Sequence, residues 1–139
     1  MAHSLQPNLQ LKANGNITPS RIVKLVSGTD NGVTISAAAT SVNIGVAQKG
    51  TRRAPGTGDD DGFAAIAGEN VGVYSAGSGT AVVEAGGTVA VGDALTSDAN
   101  GRAIATTTDG DFIIGWALQA GTANDLIDFL CQPCYLYIA

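Results

Sequence analysis

The sequence predicts an all-β fold, a compact barrel-like or sandwich domain with an internal pseudo-repeat and an extended N-terminal arm. Three observations carry this expectation. Gly and other turn formers recur every few positions between short runs rich in Val, Ile and Thr, which is the spacing of short strands. No apolar pattern with a helical period of useful length runs along the chain. Two stretches also read alike: Ile22–Gln48 is IVKLVSGTDNGVTISAAATSVNIGVAQ, and Ala94–Gln119 is ALTSDANGRAIATTTDGDFIIGWALQ.

Taken in order, residues 1–14 are polar and mostly uncharged, with Leu5, Leu9 and Leu11 as their only bulk. They predict an arm. Leu9 and Leu11 alternate with Gln10 and Lys12 in the period-2 pattern of a strand, while Pro7 and its polar neighbours keep the segment from folding alone. Such a segment can add a strand to a neighbour's sheet edge, so the arm is expected to be loose in the free subunit and ordered on a neighbouring chain. Residues 15–139 form the single β domain. Its strands are expected at Arg21–Val26, Val33–Ala37, Val42–Ala47, Val71–Ser75, Ala81–Glu84, Ala94–Ser97, Ala103–Thr107, Phe112–Leu118, Leu126–Cys131 and Tyr135–Ile138. Asn31-Gly32 and Asn100-Gly101 supply the positive φ angles of tight hairpins. Residues 50–62, GTRRAPGTGDDDG, predict a charged, Gly-rich loop.

The two similar stretches each run strand, hairpin, small-residue strand, short loop and a strand carrying Gly-x-Ala. Gly45 matches Gly115 and Ala47 matches Ala117, with the Asn-Gly pairs shifted by one residue. Two units predict one compact body, because a solenoid needs three or more. Along Phe112–Leu118, strand alternation sets Phe112, Ile114 and Trp116 on one face and Ile113 and Leu118 largely on the other. Apolar residues on both faces imply a doubly covered strand or an interface strand, a core role being the simpler assignment.

A chain of 139 residues is one domain's worth and can bury a core without a metal or disulfide staple. Its 45% hydrophobic content excludes disorder. Charged residues are only 14%, against about 25% in an average soluble domain, so either neighbours cover much of the surface or small residues fill tight turns. Residues 1–53 hold six basic residues and Asp30; residues 54–139 hold Arg102 and eleven acids. An acidic chain cannot gain the counterion-release energy behind nucleic-acid binding, though its basic first third can face an acidic protein. No run approaches the ~20 apolar residues of a membrane span, and the N-terminus lacks the features of a signal peptide. Neither nucleic acid nor membrane is expected as a partner.

Candidate chemistry fails position by position, so neither enzymatic activity nor a cofactor is expected. Cys131-Gln132-Pro133-Cys134 has the Cys-x-x-Cys spacing but follows a strand pattern instead of opening a helix. A zinc site would need two more ligands, and the sole histidine is His3. The two cysteines are therefore expected to be structural thiols. Asp59-Asp60-Asp61-Gly62 places its carboxylates consecutively, whereas calcium loops alternate theirs and close with a distal Glu. His3 has no Ser or Cys partner in view, and Asp30, Asp98 and Asp109 suit turns.

The run Val89-Ala90-Val91-Gly92-Asp93-Ala94-Leu95, then Asn100-Gly101-Arg102-Ala103, then Ile114-Gly115-Trp116-Ala117-Leu118-Gln119-Ala120, then Asp125-Leu126-Ile127 resembles the decoration (cement) proteins of tailed-bacteriophage heads. The resemblance covers the last 50 or so residues well and residues 17–50 more weakly, through the repeat. It implies a structural protein on the outside of the expanded head, often a homotrimer, that braces the major capsid protein against the pressure of packaged DNA. The virion would be its location, after assembly in the host cytoplasm. The residues expected at a capsid or subunit interface are Leu5, Pro7, Leu9, Leu11, Arg52 and Arg53. Two other classes compete. A lipoyl- or biotinyl-carrier domain fits Gly87–Leu95, but Lys12, Lys24 and Lys49 are not flanked as a modified lysine would be. A virion enzyme or tail component would need a catalytic constellation.

Overall fold

The computed structural model describes residues 9–52 and 61–137. All ten elements in them are strands: β1 (Leu9–Ala13), β2 (Ile22–Leu25), β3 (Gly32–Ile35), β4 (Asn43–Ala47), β5 (Asn70–Tyr74), β6 (Thr80–Glu84), β7 (Ala94–Ser97), β8 (Ala103–Thr106), β9 (Phe112–Ala117) and β10 (Leu126–Tyr135). β1 to β5 close into a barrel in the order β1-β3-β2-β4-β5, and β6 to β10 form a five-stranded sheet in the order β6-β10-β9-β7-β8. The all-β expectation holds.

The repeat is longer than the sequence suggested and spans every strand. β2 pairs with β3 and β4 as β7 pairs with β8 and β9. β5 lies between β4 and β1 as β10 lies between β9 and β6. Registers coincide residue for residue: Val23 faces Gly45 and Leu95 faces Gly115; Ala47 faces Val73 and Ala117 faces Phe129; Leu11 faces Val71 and Val83 faces Ile127. Left-handed backbone recurs at matching turns, at Ser20 (φ 58°) and Gly92 (91°), Asn31 (56°) and Gly101 (78°), and Gly68 (92°) and Asn124 (75°). Asn31 thus stands where Gly101 stands, which accounts for the one-residue shift of the Asn-Gly pairs. The cores match as well. Ala13, Ile17, Val23 and Val33 occupy the places of Ala85, Val89, Leu95 and Ala103, all nearly inaccessible.

The two halves differ where the strands meet. In the first, the Lys12 amide donates directly to the Asn31 carbonyl (2.8 Å), zipping β1 to β3 in parallel. In the second, β6 and β8 touch only through a parallel bridge between Ala85 and Ala103. Beside that bridge the segment Ser20–Ile22 enters from the first half. The Glu84 amide donates to the Ser20 carbonyl (3.0 Å), and the Ile22 amide donates to the Gly101 carbonyl (2.7 Å). One rung of the first half is thereby replaced by a wedge bonded on both sides. Behind the wedge, Ile22, Val46 and Tyr74 lie in a row across β2, β4 and β5 and join the core of the second half. A second fastening is polar: buried Asn43 donates from Nδ2 to the carbonyls of Ala38 and Phe112 (both 3.2 Å), and the Phe112 amide donates to the Ala39 carbonyl (2.8 Å).

Three expectations change. Over Leu9–Ala13 the arm is a stave of the barrel, hydrogen-bonded to β3 on one side and β5 on the other. Its strand addition is satisfied within the chain, because the edges of β3 and β5 are the nearest unfilled ones. The expected strands Leu126–Cys131 and Tyr135–Ile138 are one strand, β10, whose register against β9 shifts between Cys131 and Cys134. Strict alternation along β9 fails at Gly115 (φ 148°), so Ile114 and Ala117 both enter the core while Trp116 is left half-exposed.

Candidate interaction surfaces

The three arginines of the described residues, Arg21, Arg52 and Arg102, all pair with carboxylates of the same chain. At the wedge, the Arg21 guanidinium meets the Glu84 carboxylate (3.3 Å) and donates to the Asn100 carbonyl (2.9 Å). Arg102 faces Asp98 (3.5 Å) and Glu84 (3.9 Å) and donates to Asn124 Oδ1 (2.7 Å). Asp98 in turn accepts from the amides of Asn100 and Arg102 (2.8 and 2.9 Å), which is the turn role expected of it. Two cations and two carboxylates balance here, so the cluster clasps the halves together and offers no net charge to a partner.

Arg52 is similarly committed. Its Nε and Nη2 grip the two oxygens of Glu69 (2.7 and 2.9 Å) in a bidentate pair, and Nη1 reaches Asp61 (3.0 Å). Glu69 and Asp61 raise the guanidinium above its ordinary range. The pairing ties residues 51–52 to the turn before β5 and walls a polar hollow of about 570 Å³ lined by Gln48, Thr51, Ala64, Gly68 and Asn70. Arg52, one of the expected interface residues, has its donors on these carboxylates within the chain. Arg53, Leu5 and Pro7 lie outside the described residues.

Leu9 and Leu11 sit on β1, Leu9 36% exposed and Leu11 half-buried against the first core, with Lys12 exposed beside them. Later in the sequence, the outer face of the second half carries exposed apolar side chains around the exposed Asp128. Leu118, Leu126 and Leu130 are 46%, 50% and 40% exposed, and Trp116 lies between Ala94 and Leu130 across β7, β9 and β10. The sequence singled out Trp116 and Leu118 but gave them to opposite faces, whereas their two-residue spacing about buried Ala117 puts both on the outer one.

Cys131 is buried and Cys134 half-buried, and both are free thiols. Burial pushes the Cys131 thiol up to about 12, which keeps it protonated and unreactive at neutral pH. Among the described residues no group of three His, Cys, Asp or Glu side chains is placed to hold a metal ion. Among the described residues no helix is long and apolar enough to cross a membrane.

Residues 4–130 match the model of the family described as XM1 gp53 minor capsid protein. Among solved structures, the fold is similar to that titled the head fiber gp8.5 N base in bacteriophage phi29, with a TM-score of 0.62 and 23% sequence identity over 94% of this chain and 97% of that one. No curated protein matches.

Proposed function

The chain belongs to the XM1 gp53 minor capsid protein family and is thus a structural protein of the phage virion; from this premise we propose that it is a decoration protein of the head. It binds the outside of the expanded capsid as a homotrimer, contacts the major capsid protein, and braces neighbouring capsid subunits against the pressure of packaged DNA. The family match over residues 4–130 carries this reading. The exposed apolar side chains around Trp116 support it, since they suit a surface made to be covered by protein. A trimer that engages several capsid subunits gains avidity, because its later contacts are effectively intramolecular. A clamp that binds only the closed joint adds its binding free energy to the work of opening that joint. Leu5, Pro7, Leu9, Leu11, Arg52 and Arg53 are the proposed contact residues for capsid or sister chain.

The test uses heads assembled without this protein and the purified chain. Saturable binding to expanded heads, with DNA release on heating moved to higher temperature, is the expected result. Absence of binding, or binding without any shift in DNA release, would overturn the cement role.

A further inference from the structure

The internal repeat makes one prediction about what covers the apolar face of the second half. Ile22, Val46 and Tyr74 form an outward row on the first half, and the second half buries it to 0%, 0% and 9% exposure. The residues in the same places on the second half are Ala94, Trp116 and Leu130, which are hydrogen-bonded neighbours in the same way. Ala94 is buried at 6%, but Trp116 is only half-buried and Leu130 remains 40% exposed.

The internal junction also carries an ion pair, from Arg21 beside the row to Glu84 on the facing strand. The place of Arg21 on the second half is held by Asp93: the Arg21 carbonyl accepts from the Ala47 amide as the Asp93 carbonyl accepts from Ala117. The place of Glu84 on the first half is held by Lys12, for Lys12 faces Asn70 as Glu84 faces Leu126. Both signs are reversed, so the pair is conserved as a pair: Arg21 with Glu84 inside the chain, Asp93 with Lys12 between chains. Neither Asp93 nor Lys12 has an ion-pair partner among the described residues. Leu9, 36% exposed beside Lys12, stands in the place of Ala81, which is buried at the internal junction. The acceptor side thus offers apolar surface where it is needed.

We propose that copies of this chain join head to tail, the second half of one seating its Ala94–Trp116–Leu130 row against the β1 wall of the next, with Asp93 opposite Lys12. The occupant is a second copy because this chain itself supplies the complementary charge, Lys12, at the matching place. A face-to-face pairing of second halves would bring together two surfaces that each hold seven acids and Arg102 between residues 75 and 139, and like charges across an interface are costly. The β1–β3 zip leaves no gap for a wedge, so this contact is made by side chains rather than by strand insertion. A head-to-tail contact closes into a ring when its rotation allows; the inference rests on the proposed homotrimer, which is the ring of three.

Sedimentation velocity of the full chain, with circular dichroism as folding control, tests this with Asp93→Lys, Lys12→Glu and the two combined. Each single reversal sets like charges face to face and is expected to weaken self-association at least about tenfold, and the combined reversal to restore it. Leu130→Asp gives a second route, with the same weakening expected. Reversals that leave the oligomer intact, or a double reversal without rescue, would overturn the interface alone. A wild-type monomer in solution would overturn the ring; capsid binding by that monomer would still leave the cement reading standing.

Discussion

Gly115 shows most directly how a single residue governs the strand it sits in. A Cβ there would run into the Leu130 carbonyl of the adjoining strand, and its φ of 148° is one that side chains rarely adopt. Gly45 has the same relation to the Tyr74 carbonyl in the first half. At both sites the close approach allows an outward residue to follow at once, Trp116 in one half and Val46 in the other. Gly115→Ala is expected to lose about 3 kcal/mol or more of stability, the range of backbone strain combined with overpacking. Urea unfolding of the variant beside the wild type measures it, and a loss below about 1 kcal/mol would show that β9 and β10 can separate without cost. The sequence displayed Gly45 and Gly115 as matching positions. It could not display the carbonyls against them, because these come from strands far along the chain.

At the scale of the element, β1 is the segment whose reading changed most. Its alternation identified a strand, and the structure has a strand there. What alternation lacks is the identity of the partner, which depends on which edges the rest of the fold leaves open. Here β3 and β5 both need β1, so the barrel closes on its own chain and hides the edges that would otherwise recruit strands from elsewhere. Removing residues 2–14 deletes this stave and is expected to cost the β signal in circular dichroism and the soluble yield, whereas removing residues 2–8 spares every described strand. If the longer truncation keeps a native spectrum, the barrel tolerates an open seam and β1 contributes little to it. The β10 strand teaches a related lesson. Two strands are expected from the sequence, Leu126–Cys131 and Tyr135–Ile138, but a register shift between Cys131 and Cys134 absorbs Pro133 without ending the pairing.

For the molecule as a whole, the wedge decides whether the two halves are domains. Ser20–Ile22 completes the hydrogen bonding of β6 and β8, and Ile22, Val46 and Tyr74 fill the second core. The second half therefore lacks part of its own interior. A single unfolding transition is expected, with calorimetric and van't Hoff enthalpies in agreement, and residues 76–137 expressed alone are expected not to fold. Two resolved transitions would show instead that each half is stable by itself and the wedge is only a contact between them.

The sequence alone determined that the chain is all-β, where most of the strands and hairpins run, and that part of it repeats. These are properties of local pattern: turn residues at fixed spacing, β-branched runs, and paired glycines recorded in the order of the letters. It also carried the resemblance to phage head proteins in its last third. Tertiary structure alone decided that the repeat covers all ten strands, that β1 closes its own barrel, and that Arg52 is spent on Glu69 and Asp61. It also decided which apolar row is buried and which is exposed. These depend on contacts between residues distant in sequence, such as Ser20 with Glu84 or Ile22 with Gly101, and no local pattern encodes which distant edge a strand will meet.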